Sequence, residues 1–134
     1  MPRIRLPAQM GHLNDLIRFV SRSAQDAGFN AKKIKEIELV TEEAVVNIIS
    51  YAYPEETGDI EIRCNENKGA GFLIEIMDTG TPFNPLSLPE PDITADISQR
   101  NIGGLGIALM RKMVDGISYR REEGSNIVTF IFRK

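Results

Sequence analysis

Two stretches of alternating side chains, "DIEIRCN" from Asp59 and "FLIEIM" from Phe72, are separated only by a short turn-forming run, "NKGAG". Alternation places Ile60, Ile62 and Cys64 on one face, with Glu61 and Arg63 on the other. Such a pair joined by a short glycine-bearing turn is predicted to be an antiparallel hairpin with one face in a core. A second pair, "GISYRR" and "IVTFIFRK", flanks a turn predicted at "EEGSN". "RIRL" near the N-terminus alternates too and is stopped by Pro7. A sheet built from hairpins needs something to cover its apolar face, and the remaining periodic segments are helical. Leu13, Leu16, Ile17, Val20 and Ala24 recur at helical spacing between Gln9 and Ala27, before Gly28. A second helix starts near Ala31 with Asn30 as its N-cap and is stopped by Pro54. A third runs from about Gly104 to Val114. Strands cluster in pairs while helices segregate, which predicts an α+β two-layer sandwich: helices packed on one face of a mostly antiparallel sheet.

At 134 residues the chain is expected to be one domain, residues 1–134. Apolar and charged shares of 42% and 26% argue against both disorder and a membrane protein. The start, "MPRIRLPAQM", has no apolar core of a signal peptide, so a cytoplasmic protein is expected. One cysteine, Cys64, rules out an internal disulfide and fits a buried strand position. A net charge of −3 with no basic block gives no footprint for nucleic acid.

Three constellations carry chemistry. In "ELVTEEAVVNIISYAY", Glu43 and Asn47 are four apart and share a helix face beside Ala44, Ile48 and Ile49. Either Glu43 points to solvent and Asn47 bonds locally, or both serve a site at the edge of the core. In "LIEIMDTGTPFNP", an apolar strand ends in Asp78, with Gly80 two residues on. An ionised carboxylate only accepts hydrogen bonds, which suits the exocyclic amine of adenine and repels the carbonyl of guanine. Gly80 would let a flat base come close. The other reading is an aspartate capping its own turn. In "NIGGLGIALMRKMVD", Gly103, Gly104 and Gly106 open a helix, an arrangement that exposes backbone N–H groups to phosphate or allows tight packing. Between the last two constellations lies a long aperiodic connection, from Thr79 to Ile102, bearing Pro82, Pro85, Pro89 and Pro91.

Taken in order, these motifs resemble the N, G1 and G2 boxes of the GHKL ATPase superfamily, whose sheet-and-helix architecture is the Bergerat fold. "EEAVVNIISYAYPEE", "DTGTPFNPL" and "GGLGIALMRKMVD" look like its anti-sigma-factor serine-protein kinase branch. The resemblance implies ATP and Mg²⁺ as cofactors, with Asn47 holding the metal and Glu43 acting as general base. It implies that Asp78 and Gly80 receive the adenine, that Gly103, Gly104 and Gly106 face the phosphates, and that Thr129 gives a second adenine contact. It further implies phosphorylation of a serine on an anti-anti-sigma (STAS-type) partner and sequestration of a sigma factor, with Arg18 near the partner-contacting position and a homodimer as the branch's common state. A nucleotide-gated binding module without kinase activity needs the same pocket and is the alternative. The chain departs from the branch at "EGSNIVTF", which lacks a Gly-Thr pair, and at Asn84, where aspartate is common; Arg100 is read as a solvated lid residue. His12 lacks the context of a phospho-acceptor histidine, which argues against a histidine kinase fragment.

Overall fold

A computed structural model describes residues 2–54, 57–67, 69–82, 84 and 106–134. Strand β1 (Arg3–Pro7) leads through a short 3-10 turn (Met10–His12) into α1 (Leu13–Asp26), followed by α2 (Ala31–Tyr51). Then come β2 (Asp59–Asn67), β3 (Gly71–Asp78), α3 (Gly106–Met113), β4 (Gly116–Glu122) and β5 (Ser125–Phe132). The first helix is shorter than its periodicity predicts, because its opening turn winds as 3-10 rather than α.

The strands form one five-stranded sheet in the order β1-β2-β3-β5-β4, with every neighbouring pair antiparallel. Alternation fixes which side chains face the helices. Ile62 opposes Ile76, which in turn opposes Val128, and Cys64, Ile74 and Phe130 form the next row. These rows are buried together with Leu16, Val20, Ile37, Val40 and Val45 of the helices, so the core lies between the sheet and the α1–α2 layer. Each such aliphatic side chain stabilises the fold by about 1.5–3 kcal/mol through burial, and truncating Ile76 to alanine is expected to cost about 2–5 kcal/mol. Helix α3 packs against α2.

The other sheet face carries charge. Arg120 on β4 reaches across β5 to Glu75 on β3 at 3.4 Å and also binds Glu122 at 2.9 Å. Ile127 and Thr129 of β5 pair with Arg120 and Glu75, the two ends of this bridge, and both are buried on this face.

The closing hairpin is tighter than "EEGSN" predicts. Glu122 pairs with Ser125, so only Glu123 and Gly124 turn, with φ of 51° and 80°. Two consecutive positive φ values make the kind of two-residue turn whose twist matches flanking strands. Ser125 and Asn126 therefore belong to β5, not to a loop.

Candidate functional site

Helix α2 carries the first half of the site. Asn30 caps it by accepting the Lys33 backbone N–H at 2.8 Å, as the sequence predicts. The Thr41 hydroxyl donates back to the Ile37 carbonyl at 2.8 Å, which satisfies a polar group inside the core. Glu43 and Asn47, one turn apart, are only 7% and 8% exposed, whereas neighbouring Glu42 faces solvent. The solvent-facing reading of Glu43 is thereby excluded.

The second half lies at the end of β3. Asp78 is buried on the helix-facing side of the sheet, in register with Ile60 of β2 and Asn126 of β5. Its Oδ1 accepts the Gly80 N–H at 2.9 Å and the Asn126 Nδ2–H at 2.9 Å. The turn-capping reading therefore holds for Oδ1. No described residue donates to Oδ2, and since no fully buried side-chain oxygen among the described residues lacks a partner, Oδ2 keeps contact with solvent. Burial pushes the Asp78 carboxyl above its ordinary value of 3.8, while the bonds from Asn126 and Gly80 and the Arg121 charge pull it back.

The two halves touch through Ala52, the C-cap residue of α2. Its carbonyl accepts the Thr81 N–H at 2.9 Å, just beyond the Asp-x-Gly turn. A Cβ on Gly80 would sit 2.1 Å from that same carbonyl oxygen. Gly80 thus has a requirement beyond the one read from sequence: the helix end occupies the space a side chain needs. Tyr53 adds a second tie, its hydroxyl accepting the Thr79 N–H at 2.8 Å and donating to the Asp59 carbonyl at 2.7 Å.

The remaining expected residues fall elsewhere. Gly106 is the first residue of α3, while Gly103, Gly104 and Arg100 lie outside the described residues. Arg18 is an exposed residue of α1, 3.9 Å from Asp15. The expectation that Thr129 contacts the base is corrected by the register. Thr129 pairs with Glu75 and Ser118, on the sheet face opposite Asp78, because it lies three positions, an odd step, along β5 from Asn126.

Asn126 is the residue the sequence reading missed. Its Nδ2 also donates to the Thr81 carbonyl at 2.8 Å, and its Oδ1 accepts from the Tyr119 hydroxyl at 2.6 Å and from Arg121 Nη1 at 3.1 Å. The same Arg121 nitrogen donates to the Gly80 carbonyl at 2.9 Å. The signal that could have found Asn126 is the Glu-Gly dipeptide: a two-residue turn there puts Asn126 on the inward side of β5.

Residues 6–132 match the model of the histidine kinase-like ATPase domain. The chain belongs to this family. Among the relatives of this ATPase domain are proteins named serine-protein kinase RsbW. That of Listeria monocytogenes serovar 1/2a is 26% identical over 132 residues, covering 93% of this chain and 82% of the relative. That of Bacillus thuringiensis strain Al Hakam is 26% identical over 131 residues, covering 93% and 80%. The solved RsbU and RsbW domains of a Mycobacterium tuberculosis protein superpose with a TM-score of 0.65 at 12% identity, over 99% of this chain and 32% of that one. That likeness agrees with the α+β fold seen here.

Within this histidine kinase-like ATPase domain, among the described residues, no group of three or more His, Cys, Asp or Glu forms a metal cage, and no helix is long and apolar enough to cross a membrane. A cleft of about 290 Å³ beside the Asp-x-Gly turn is lined by Ala52, Tyr53, Thr79, Gly80, Pro82 and Arg121, among others. A larger one, about 460 Å³, lies at the far end of the sheet around Phe29, Phe72 and Phe132. Neither of these two clefts is lined by Glu43, Asn47 or Asp78.

Proposed function

We propose that this chain binds ATP with its adenine amine on Asp78 and its triphosphate toward Asn47, and passes the γ-phosphate to a serine of a protein partner. The observation that carries the reading is the Ala52 carbonyl. It ties the Asp78 turn to the end of the helix that holds Asn47 and Glu43, five and nine residues back, or about 7.5 and 13.5 Å along the axis. An extended nucleotide matches that separation. The Oδ2 of Asp78 is the acceptor left for the amine, and guanine's carbonyl there would face a second acceptor.

Asn47 offers one hard oxygen, which fits Mg²⁺, an ion that takes few protein ligands and keeps water and phosphate oxygens. When bound, the ion would neutralise charge on the phosphates. Glu43 takes the proton of the serine hydroxyl as the new O–P bond forms and the bond from the γ-phosphorus to the bridging oxygen of ADP breaks. A positioned base contributes about 10²–10⁴-fold. The N–H groups at the start of α3, from Gly106 on, would face the phosphates. The name serine-protein kinase carried by the similar proteins supports a protein serine as the acceptor; the resemblance of the motifs implies that it belongs to an anti-anti-sigma (STAS-type) protein, with a sigma factor held in its absence and exposed Arg18 of α1 at the contact.

The test is transfer of labelled phosphate from ATP to candidate STAS-type partners. Glu43→Gln is expected to keep ATP affinity and lose transfer by at least about 10²-fold. Transfer at the wild-type rate in that variant removes Glu43 as the base. Tight ATP binding with no turnover in the presence of a partner that binds would instead establish the nucleotide-gated binding module.

A further inference from the structure

The geometry points to Asn126 as the residue that selects the purine: it holds Asp78 so that a single free acceptor, Oδ2, is presented to the base. The inference rests on the adenine reading above and deepens it. The amide of Asn126 has only one orientation that its neighbours allow. Arg121 has donors only, and it reaches Asn126 Oδ1 at 3.1 Å, alongside the Tyr119 hydroxyl at 2.6 Å. On the other side stand two acceptors, Asp78 Oδ1 and the Thr81 carbonyl, each meeting Nδ2 at 2.9 Å or less. A flipped amide would set its oxygen against both acceptors and its NH₂ against the Arg121 donor. The hydrogen bonds therefore run one way, from Arg121 and Tyr119 through Asn126 to Asp78.

That direction has a chemical result. Asp78 is held as an acceptor with Oδ1 saturated; burial pushes its carboxyl above the ordinary value, and the bonds from Asn126 and Gly80 offset part of that rise and so favour the acceptor form. A protonated Asp78 would carry a donor on Oδ2 and would suit guanine's carbonyl instead. Among the described residues, the charged and titratable groups facing the pair are these. Arg121 faces it from β4, with Tyr119 behind Asn126. From β2 the residue in register is apolar Ile60, and from α2 the contact to this loop is through Ala52, with Glu43 further along the helix. Asn126 does not replace Asp78 as the base contact; it positions it.

Titration calorimetry of ATP and GTP from acid to neutral pH on the whole chain, with an NMR titration of the Asp78 carboxyl in the absence of nucleotide, tests this. The variants are Asn126→Leu, which matches the shape and removes the amide, and Asn126→Thr, whose hydroxyl can still donate to Asp78. Asn126→Leu is expected to move the Asp78 titration to higher pH, to weaken ATP about tenfold, consistent with losing a hydrogen bond to a charged group, and to narrow the ATP-to-GTP ratio. Asn126→Thr is expected to restore most of the ratio and of the titration. A folded Asn126→Leu protein with an unchanged Asp78 titration and an unchanged ATP-to-GTP ratio overturns the role of Asn126 alone. If Asn126→Leu does not fold, Asn126→Ala decides: an Asp78 titration moved to higher pH with a narrowed ratio supports the role, and wild-type values of both overturn it. Wild-type protein that binds neither nucleotide at any pH overturns the adenine reading itself, and this inference with it.

Discussion

Replacing Gly80 by alanine separates two accounts of that glycine. If Gly80 serves only the approach of a base, the nucleotide-free protein will not notice the added methyl. The structure gives a different expectation. The new Cβ would lie 2.1 Å from the Ala52 oxygen, 2.6 Å from its carbonyl carbon and 2.7 Å from its Cβ, so it must retreat by about 1.3 Å to reach the 3.4 Å of ordinary contact. Its neighbours are backbone at the end of α2, which has no rotamer to change. Forcing a methyl into a filled site costs about 1–3 kcal/mol. Moving the Ala52 carbonyl also loosens its 2.9 Å bond from Thr81, worth about 0.5–1.5 kcal/mol. The lower backbone entropy of alanine in the unfolded chain returns about 0.4–1 kcal/mol. The net loss is about 2 kcal/mol, or roughly 6–8 °C in Tm for a domain of this size. Urea denaturation of wild type and Gly80→Ala without nucleotide measures it. A change below about 0.5 kcal/mol, the range of an ordinary surface substitution, would refute the claim that α2 and the Asp78 turn are braced together.

Other outcomes follow from the same contacts. Tyr53→Phe strands the Thr79 N–H and the Asp59 carbonyl and is expected to cost about 1–3 kcal/mol in denaturant unfolding. Glu123→Asn puts a residue tolerant of positive φ where φ is 51°, and should stabilise by about 1 kcal/mol, read as a higher denaturation midpoint. Asp78→Asn bears on pH. Because burial raises the folded pKa of Asp78 above 3.8, its contribution to stability is complete below that value and is lost as pH rises through the folded pKa. The asparagine variant should therefore melt higher than wild type at neutral pH, with the gap closing as pH falls toward 3.8, while ATP binding is weakened. A variant that melts lower at neutral pH would show that the bonds to Oδ1, not desolvation, dominate.

Much of the fold was legible because the strands alternate cleanly. Ile60, Ile62 and Cys64 against Glu61 and Arg63 leave a single buried face, and "NKGAG" fixes the partner strand. The Asn30 cap could likewise be read from the start of one helix, whereas spacing alone left open whether Glu43 faces solvent or the edge of the core. The errors came where one residue of phase matters. Treating "EEGSN" as a loop hid Asn126, and without the strand's starting point Thr129 could not be assigned a side. Gly80 was read for its freedom, but its reason is a tertiary approach by Ala52, which no local pattern encodes.

The hairpin at Glu123 and Gly124 therefore sets more than a chain reversal. Its length counts out which side chain β5 delivers to Asp78. A one-residue slide of β5 along β3 would change that parity, bringing Ser125 or Ile127 to where the amide now stands and turning Val128, Phe130 and Phe132 out of the core. A solvent-exposed turn of two residues is thereby tied to the identity of the side chain that stands against Asp78.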